Sequence, residues 1–149
     1  MALARAIAAR ALKGARVVEL GCGLGLPSVA AALAGGRVLA TDWAPESVAA
    51  TAANAERNGV HVETLCVDWR APAPLLARGP FDLALAADVL YEARNVEPLL
   101  DLLPRLAPEA WIADPGRAMA APFWEAAERE WEIRATPPVW RLRRRRAPV

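Results

Sequence analysis

The stretch Val17-Val18-Glu19-Leu20-Gly21-Cys22-Gly23-Leu24-Gly25-Leu26-Pro27 constrains this chain most. A short apolar run carries one acid. Three glycines then alternate with Cys22 and Leu24, and a proline follows. An apolar run of this length between turn signals reads as a buried strand. Pro27 presets a helical φ at a position where its missing N–H does no harm. The pattern therefore predicts a strand, a glycine loop and a helix start in immediate succession. Glycines there can take positive φ and let a ligand approach the backbone closely. The helix N-terminus adds a weak positive field to the same crevice.

The rest of the chain repeats the alternation. Ala2 to Lys13 reads as a helix closed by Gly14, and Arg16 to Leu20 as the first strand. Pro27 to Ala34 is the next helix, Arg37 to Thr41 a strand, and Pro45 to Asn58 a helix with Gly59 just beyond it. Val60 to Val67 is a strand; Ala71 to Pro80 is a proline-bearing loop with room for one helical turn. Phe81 to Ala87 and Ala110 to Ala113 are strands flanking a helix over Val96 to Leu106. Gly116 to Glu130 is a helix with Pro122 near its start. Trp131 to Thr136 and Val139 to Arg143 are strands about the Pro137-Pro138 turn. Strands alternating with helices predict one α/β domain over residues 1–149, with a mostly parallel sheet covered on both faces.

Right-handed crossovers put the strand C-termini along one sheet edge, where ligands bind at the topological switch point. Glu19, Asp42, Asp68, Asp88 and Asp114 each fall at or just after a strand end. Any one of them has an ordinary reading as a helix cap or turn former; five at corresponding places point to a lined site. Trp43 and Trp69 follow two of these acids and read either as packing residues or as walls for a flat ligand.

Composition narrows the chemistry. With one histidine, His61, and two cysteines, Cys22 and Cys66, a zinc centre, a histidine triad or a disulfide framework is disfavoured, and a reduced cytosolic location fits. No apolar run is long and unbroken enough to span a bilayer. A net charge of +1 gives no electrostatic case for nucleic acid. The run Arg141 to Arg146 reads better as a final strand with solvated arginines and a basic tail than as a phosphate reader, since no aromatics interleave it.

Two ligand classes use such a glycine loop. A dinucleotide loop wants G-x-G-x-x-G; here Leu26 stands where that pattern needs its third glycine. Glu19 directly before the loop also suits a cationic ligand better than a pyrophosphate. Glu19-Leu20-Gly21-Cys22-Gly23-Leu24-Gly25 instead resembles the first motif of the class I S-adenosylmethionine (SAM) methyltransferases. Asp88-Val89-Leu90-Tyr91-Glu92 resembles the Asp-x-x-Tyr-Glu motif of one branch, methyltransferase family 16, rich in protein lysine methyltransferases. Asp114-Pro115-Gly116-Arg117 resembles a signature of the electron-transfer-flavoprotein lysine methyltransferases and their bacterial relatives.

The resemblance implies a Rossmann-like, doubly wound, seven-stranded sheet with its last strand antiparallel. It implies a SAM site in which Glu19, Gly21, Cys22, Gly23 and Gly25 hold the amino-acid part. Asp42 would grip the ribose, about 20 residues beyond the loop, and Trp43, Asp68 and Trp69 would surround the adenine. Asp88 would border the methyl group, with Asp88, Tyr91 and Glu92 handling the acceptor. S-adenosylhomocysteine (SAH) would be the product and a protein lysine the acceptor. A small-molecule N-methyltransferase and a SAM-binding protein without activity are the alternatives; an NAD-dependent oxidoreductase is weaker, on Leu26 and Glu19. Relatives in this branch carry a tryptophan- and proline-containing cover before the first helix, and this sequence opens almost directly in that helix. An exposed apolar surface around the pocket, and self-association through it, are therefore expected.

Overall fold

The computed structural model describes residues 1–146. Its sheet has seven strands: β1 (Arg16–Leu20), β2 (Arg37–Asp42), β3 (Glu63–Cys66), β4 (Leu83–Ala87), β5 (Glu109–Ala113), β6 (Trp131–Thr136) and β7 (Val139–Arg144). Their order is β3-β2-β1-β4-β5-β7-β6. All neighbours are parallel except β7, which runs antiparallel to both β5 and β6. The architecture is the Rossmann-like one that the sequence implied.

The order reverses at β1, which pairs with β2 on one side and β4 on the other. The switch point therefore lies where β1 and β4 end, at Leu20 and Ala87. Successive strand side chains face opposite sides of the sheet. Val18 and Leu20 join a core that holds Leu99, Leu102, Leu103 and Leu106 of α5 (Val96–Leu106) and Phe123 of α6 (Ala121–Ala127). Val17 joins a second core with Leu3 and Ile7 of α1 (Ala2–Ala8) and Val29 of α2 (Leu26–Leu33). By the same alternation, Glu19 faces α2. The α5 leucines recur at helical spacing, and burying each stabilises the fold by about 1.5–3 kcal/mol.

Element bounds differ from the sequence reading where tertiary contacts intervene. Helix α1 stops at Ala8, not Lys13. The N–H groups of Leu12 and Gly14 bond to the carbonyls of Ala34 and Gly35 at the end of α2, which pulls this segment out of the helix. Gly14 therefore turns the chain with φ +76° instead of capping α1. Strand β3 begins at Glu63 rather than Val60, because the Val60 N–H closes the end of α3 (Pro45–Arg57) by bonding to Ala55 O. The long final helix becomes a 3-10 turn at Ala118–Ala120 followed by the short α6, with Pro122 in its first turn. Along β7, Leu142 is buried between exposed Arg141 and Arg143. Among the described residues, no helix is long and apolar enough to cross a membrane.

Candidate active site

The loop after β1 is a chain of left-handed glycines: Gly21, Gly23 and Gly25 have φ of +71°, +53° and +77°. They do different work. A β-carbon on Gly25 would meet the Thr51 side chain at 2.5 Å, whereas one on Gly23 would meet nothing within 4 Å. Gly25 is thus the packed side of the loop and Gly23 its open edge.

Helix α3 holds the loop from behind. The Thr51 hydroxyl donates to Gly23 O at 3.1 Å, and Asn54 Nδ2 donates to Leu24 O at 2.8 Å. Asp42, at the end of β2 and 8% exposed, holds it from the side. Its Oδ2 accepts the Gly23 N–H at 3.1 Å and its Oδ1 accepts the Ala44 N–H at 3.0 Å. One carboxylate thereby ties the loop to the start of α3.

These parts border a cleft of about 450 Å³ at the switch point, within the usual range for a small-molecule site. Of the residues singled out in the sequence, Gly21, Gly23, Asp42, Trp43, Asp68, Trp69, Asp88 and Tyr91 line it. Glu19, Cys22, Gly25 and Glu92 do not. Another hollow, of about 470 Å³, lies between α1 and the β5–β7–β6 face around the Arg10–Glu109 ion pair; none of the predicted residues lines it.

Glu19 is 1% exposed and sits beneath the loop. Its Oε2 accepts the Ser28 N–H at 2.9 Å and the Ser28 hydroxyl, while Oε1 has no partner among the described residues. Burial, helped by the nearby Asp42 charge, pushes its carboxyl up to about 8 against the Ser28 hydrogen bonds. Cys22 is also buried, and its thiol, pushed up to about 11 mainly by burial, packs against Thr51.

The two tryptophans differ. Trp43 is 70% exposed at the rim. Trp69 packs on the α5 core, its ring alongside Gly21. Asp68 accepts the Arg70 N–H at 2.9 Å, closing a local turn at the cleft wall.

At the other end of the cleft, Asp88 follows β4 with φ +53°, a conformation uncommon for a residue with a side chain. Its N–H bonds to Ala113 O of β5 at 2.8 Å. Arg117 Nε and Nη2 donate to the two oxygens of Asp88 at 2.9 and 2.7 Å. Buried Asp114 accepts the Arg117 backbone N–H at 3.3 Å. Glu92 is likewise paired, with Arg94. Tyr91 is half exposed, and nearby in the chain Asn95 Nδ2 donates to Val89 O at 2.8 Å.

Sequence reasoning overlooked Thr51, Asn54 and Ser28. The first two recur at i and i+3 on one face of α3, a polar stripe that could have marked the side turned to the loop.

Comparison with known proteins adds to this geometry. A crystal structure of the ribosomal protein L11 methylase from Lactobacillus delbrueckii subsp. bulgaricus superposes with a TM-score of 0.71 at 27% identity, over 96% of this chain and 78% of that one. The electron transfer flavoprotein beta subunit lysine methyltransferase of Xenopus laevis is 35% identical over 114 residues, which are 72% of this chain and 44% of that protein. The histone-arginine methyltransferase METTL23 of Xenopus laevis is 30% identical over 141 residues, 90% of this chain and 57% of that protein. The chain thus spans about half the length of these curated relatives. The family model described as lysine methyltransferase matches residues 1–112, a segment that runs from α1 into β5 and takes in the glycine loop, Asp42, Asp68 and Asp88. With that match over most of its length, the chain belongs to the lysine methyltransferase family.

Proposed function

We propose that this chain is a SAM-dependent N-methyltransferase domain whose acceptor is a protein side-chain nitrogen, a lysine in the first place. One observation carries the reading: the Gly23 backbone edge, free of side-chain obstruction and held by Asp42 and Thr51, borders a switch-point cleft whose far end carries Asp88 and Tyr91.

The residues fit the cofactor. The Gly23 edge leaves room for a close backbone contact with the amino-acid part. Glu19 lies buried beneath that loop and holds the start of α2 through Ser28, so it supports the loop rather than facing the ligand. Asp42 uses each oxygen for one N–H and keeps lone pairs for ribose hydroxyls. Trp43, Asp68 and Trp69 are the adenine wall. When bound, SAM supplies a methyl activated on a sulfonium.

The chain must orient the acceptor, exclude water and accept an amine that has lost its proton, since an ordinary lysine is protonated at neutral pH. Tyr91 borders the acceptor's path. Asp88 would share its carboxylate between the incoming amine and Arg117, and Glu92 is the outer acid beside Arg94. A protein acceptor is supported by the names of the relatives, which act on a flavoprotein subunit, a histone and a ribosomal protein. The exposed thiol of Cys66 suits a reducing cytosol. Exposed Trp43 and Tyr91 at the rim favour self-association, which light scattering across a concentration series would reveal as a rising mass.

The test is methyl transfer from tritiated SAM into a protein extract of the source cells, followed by acid hydrolysis. Label in methyl-lysine supports the reading. Label in methyl-arginine alone would move the acceptor, and label confined to small molecules would overturn the protein acceptor. Asp88→Ala with full turnover would remove Asp88 from the catalytic group.

A further inference from the structure

Two motifs that read separately in the sequence meet across the sheet. Asp88 stands at the end of β4 and Arg117 in the turn after β5, adjacent parallel strands. The contact is a two-point fork, Nε to Oδ1 and Nη2 to Oδ2, a geometry that fixes orientation as well as charge. The fork is itself anchored: Asp114, 2% exposed, holds the Arg117 N–H, and Ala113 O holds the Asp88 N–H. Gly116, with φ +92°, turns the chain so that Arg117 reaches back to β4.

Asp88 lines the cleft. Left alone, its carboxylate would draw cations to this end; paired, its charge is balanced by Arg117, on which the charge of buried Asp114 also acts. SAM carries one positive charge more than its thioether product, SAH, and that charge sits on the sulfur that loses the methyl. We infer that the Arg117–Asp88 pair sets the net charge at the methyl-bearing end of the cleft, and so sets how strongly the protein prefers SAM over SAH. The inference rests on the cofactor reading above. Arg117 acts here through Asp88 and is a positioning residue. The pair keeps that preference below what an unpaired Asp88 would give.

Calorimetric titration of SAM and of SAH tests this without any acceptor. The variants are Arg117→Gln, Asp88→Asn, the double variant and Arg117→Lys, each checked for folding by circular dichroism. Removing Arg117 unmasks a negative charge, and the ratio of SAH to SAM dissociation constants rises about fivefold, the scale of one charge acting across a few ångströms of half-exposed cleft. Asp88→Asn leaves Arg117 unbalanced and lowers the ratio by about the same factor. The double variant and Arg117→Lys return to the wild-type ratio. A loosened loop would weaken both ligands alike and could not move the ratio in opposite directions. If Arg117→Gln fails to fold, Asp88→Asn against Arg117→Lys decides. Single variants that leave the ratio unchanged, or move it the same way, overturn the inference while the cofactor site stands. A folded wild-type chain that binds neither ligand overturns the site and the inference together.

Discussion

Thr51 fills the space that a β-carbon on Gly25 would need, so the two would meet at 2.5 Å. The glycine loop is therefore fitted to α3 as tightly as a core position, although it carries no side chains at its turns. Gly25→Ala must both displace Thr51 and hold a positive φ, a combined cost of about 3 kcal/mol. Gly23→Ala meets no such obstacle and costs about 1 kcal/mol for its φ alone. Its added methyl stands on the loop's open edge and weakens SAM binding more than it weakens the fold. Urea denaturation beside SAM titration of the two variants reads this contrast.

Glu19 ties stability to pH. Its folded carboxyl stands at about 8, above the ordinary 4.5, chiefly through burial. Between those values the folded protein holds a proton that the unfolded chain has lost, so stability falls as pH rises from about 4.5 to 8 and levels off above. Glu19→Gln removes the dependence. The variant gains on the wild type between pH 6 and pH 9, by on the order of 2–4 kcal/mol. Parallel denaturation curves at the two pH values check it; a constant difference would contradict it. Asp42 is the charged neighbour that acts on Glu19, while the Cys22 thiol, held up at about 11, stays neutral across this range.

Trp43 and Trp69 separate packing from binding. With 70% of its surface exposed, Trp43 adds little to the fold, and Trp43→Ala changes stability by less than about 0.5 kcal/mol. If it walls the adenine, the same change weakens SAM binding about tenfold, in the range of a lost aromatic stack. Trp69→Ala lowers both stability and affinity, because its ring packs on the α5 core beside Gly21.

Helix α5 bears the larger apolar layer. Leu102 is fully buried among β-strand and α6 side chains. Leu102→Ala leaves a cavity and costs about 2–5 kcal/mol in thermal or denaturant unfolding.

Much of this was legible in the sequence because local chemistry and global fold agree. The bounds of β1 and α5 follow from their apolar patterns and the prolines and glycines around them, and the five acids fall where parallel strands end. What escaped depends on contacts between distant segments. Nothing local to Leu12 and Gly14 announces that Ala34 and Gly35 will take their N–H groups. Glu19 reads as one acid in the strand-end row, and only its packing against Ser28 of α2 reveals that it lies beneath the loop. Asp88 and Arg117 are 29 residues apart, and their pairing requires β4 and β5 to be neighbours.

Asp42 ties the Gly23 edge of the cleft to the start of α3. Calorimetry of SAM with the wild-type chain and with Asp42→Ala tests the cofactor reading most directly. The wild type is expected to bind in the micromolar range and the variant to lose at least about thirtyfold, since Asp42 both steadies Gly23 and faces the cleft. A folded wild-type chain that does not bind SAM, or a variant that binds as tightly as the wild type, would contradict it.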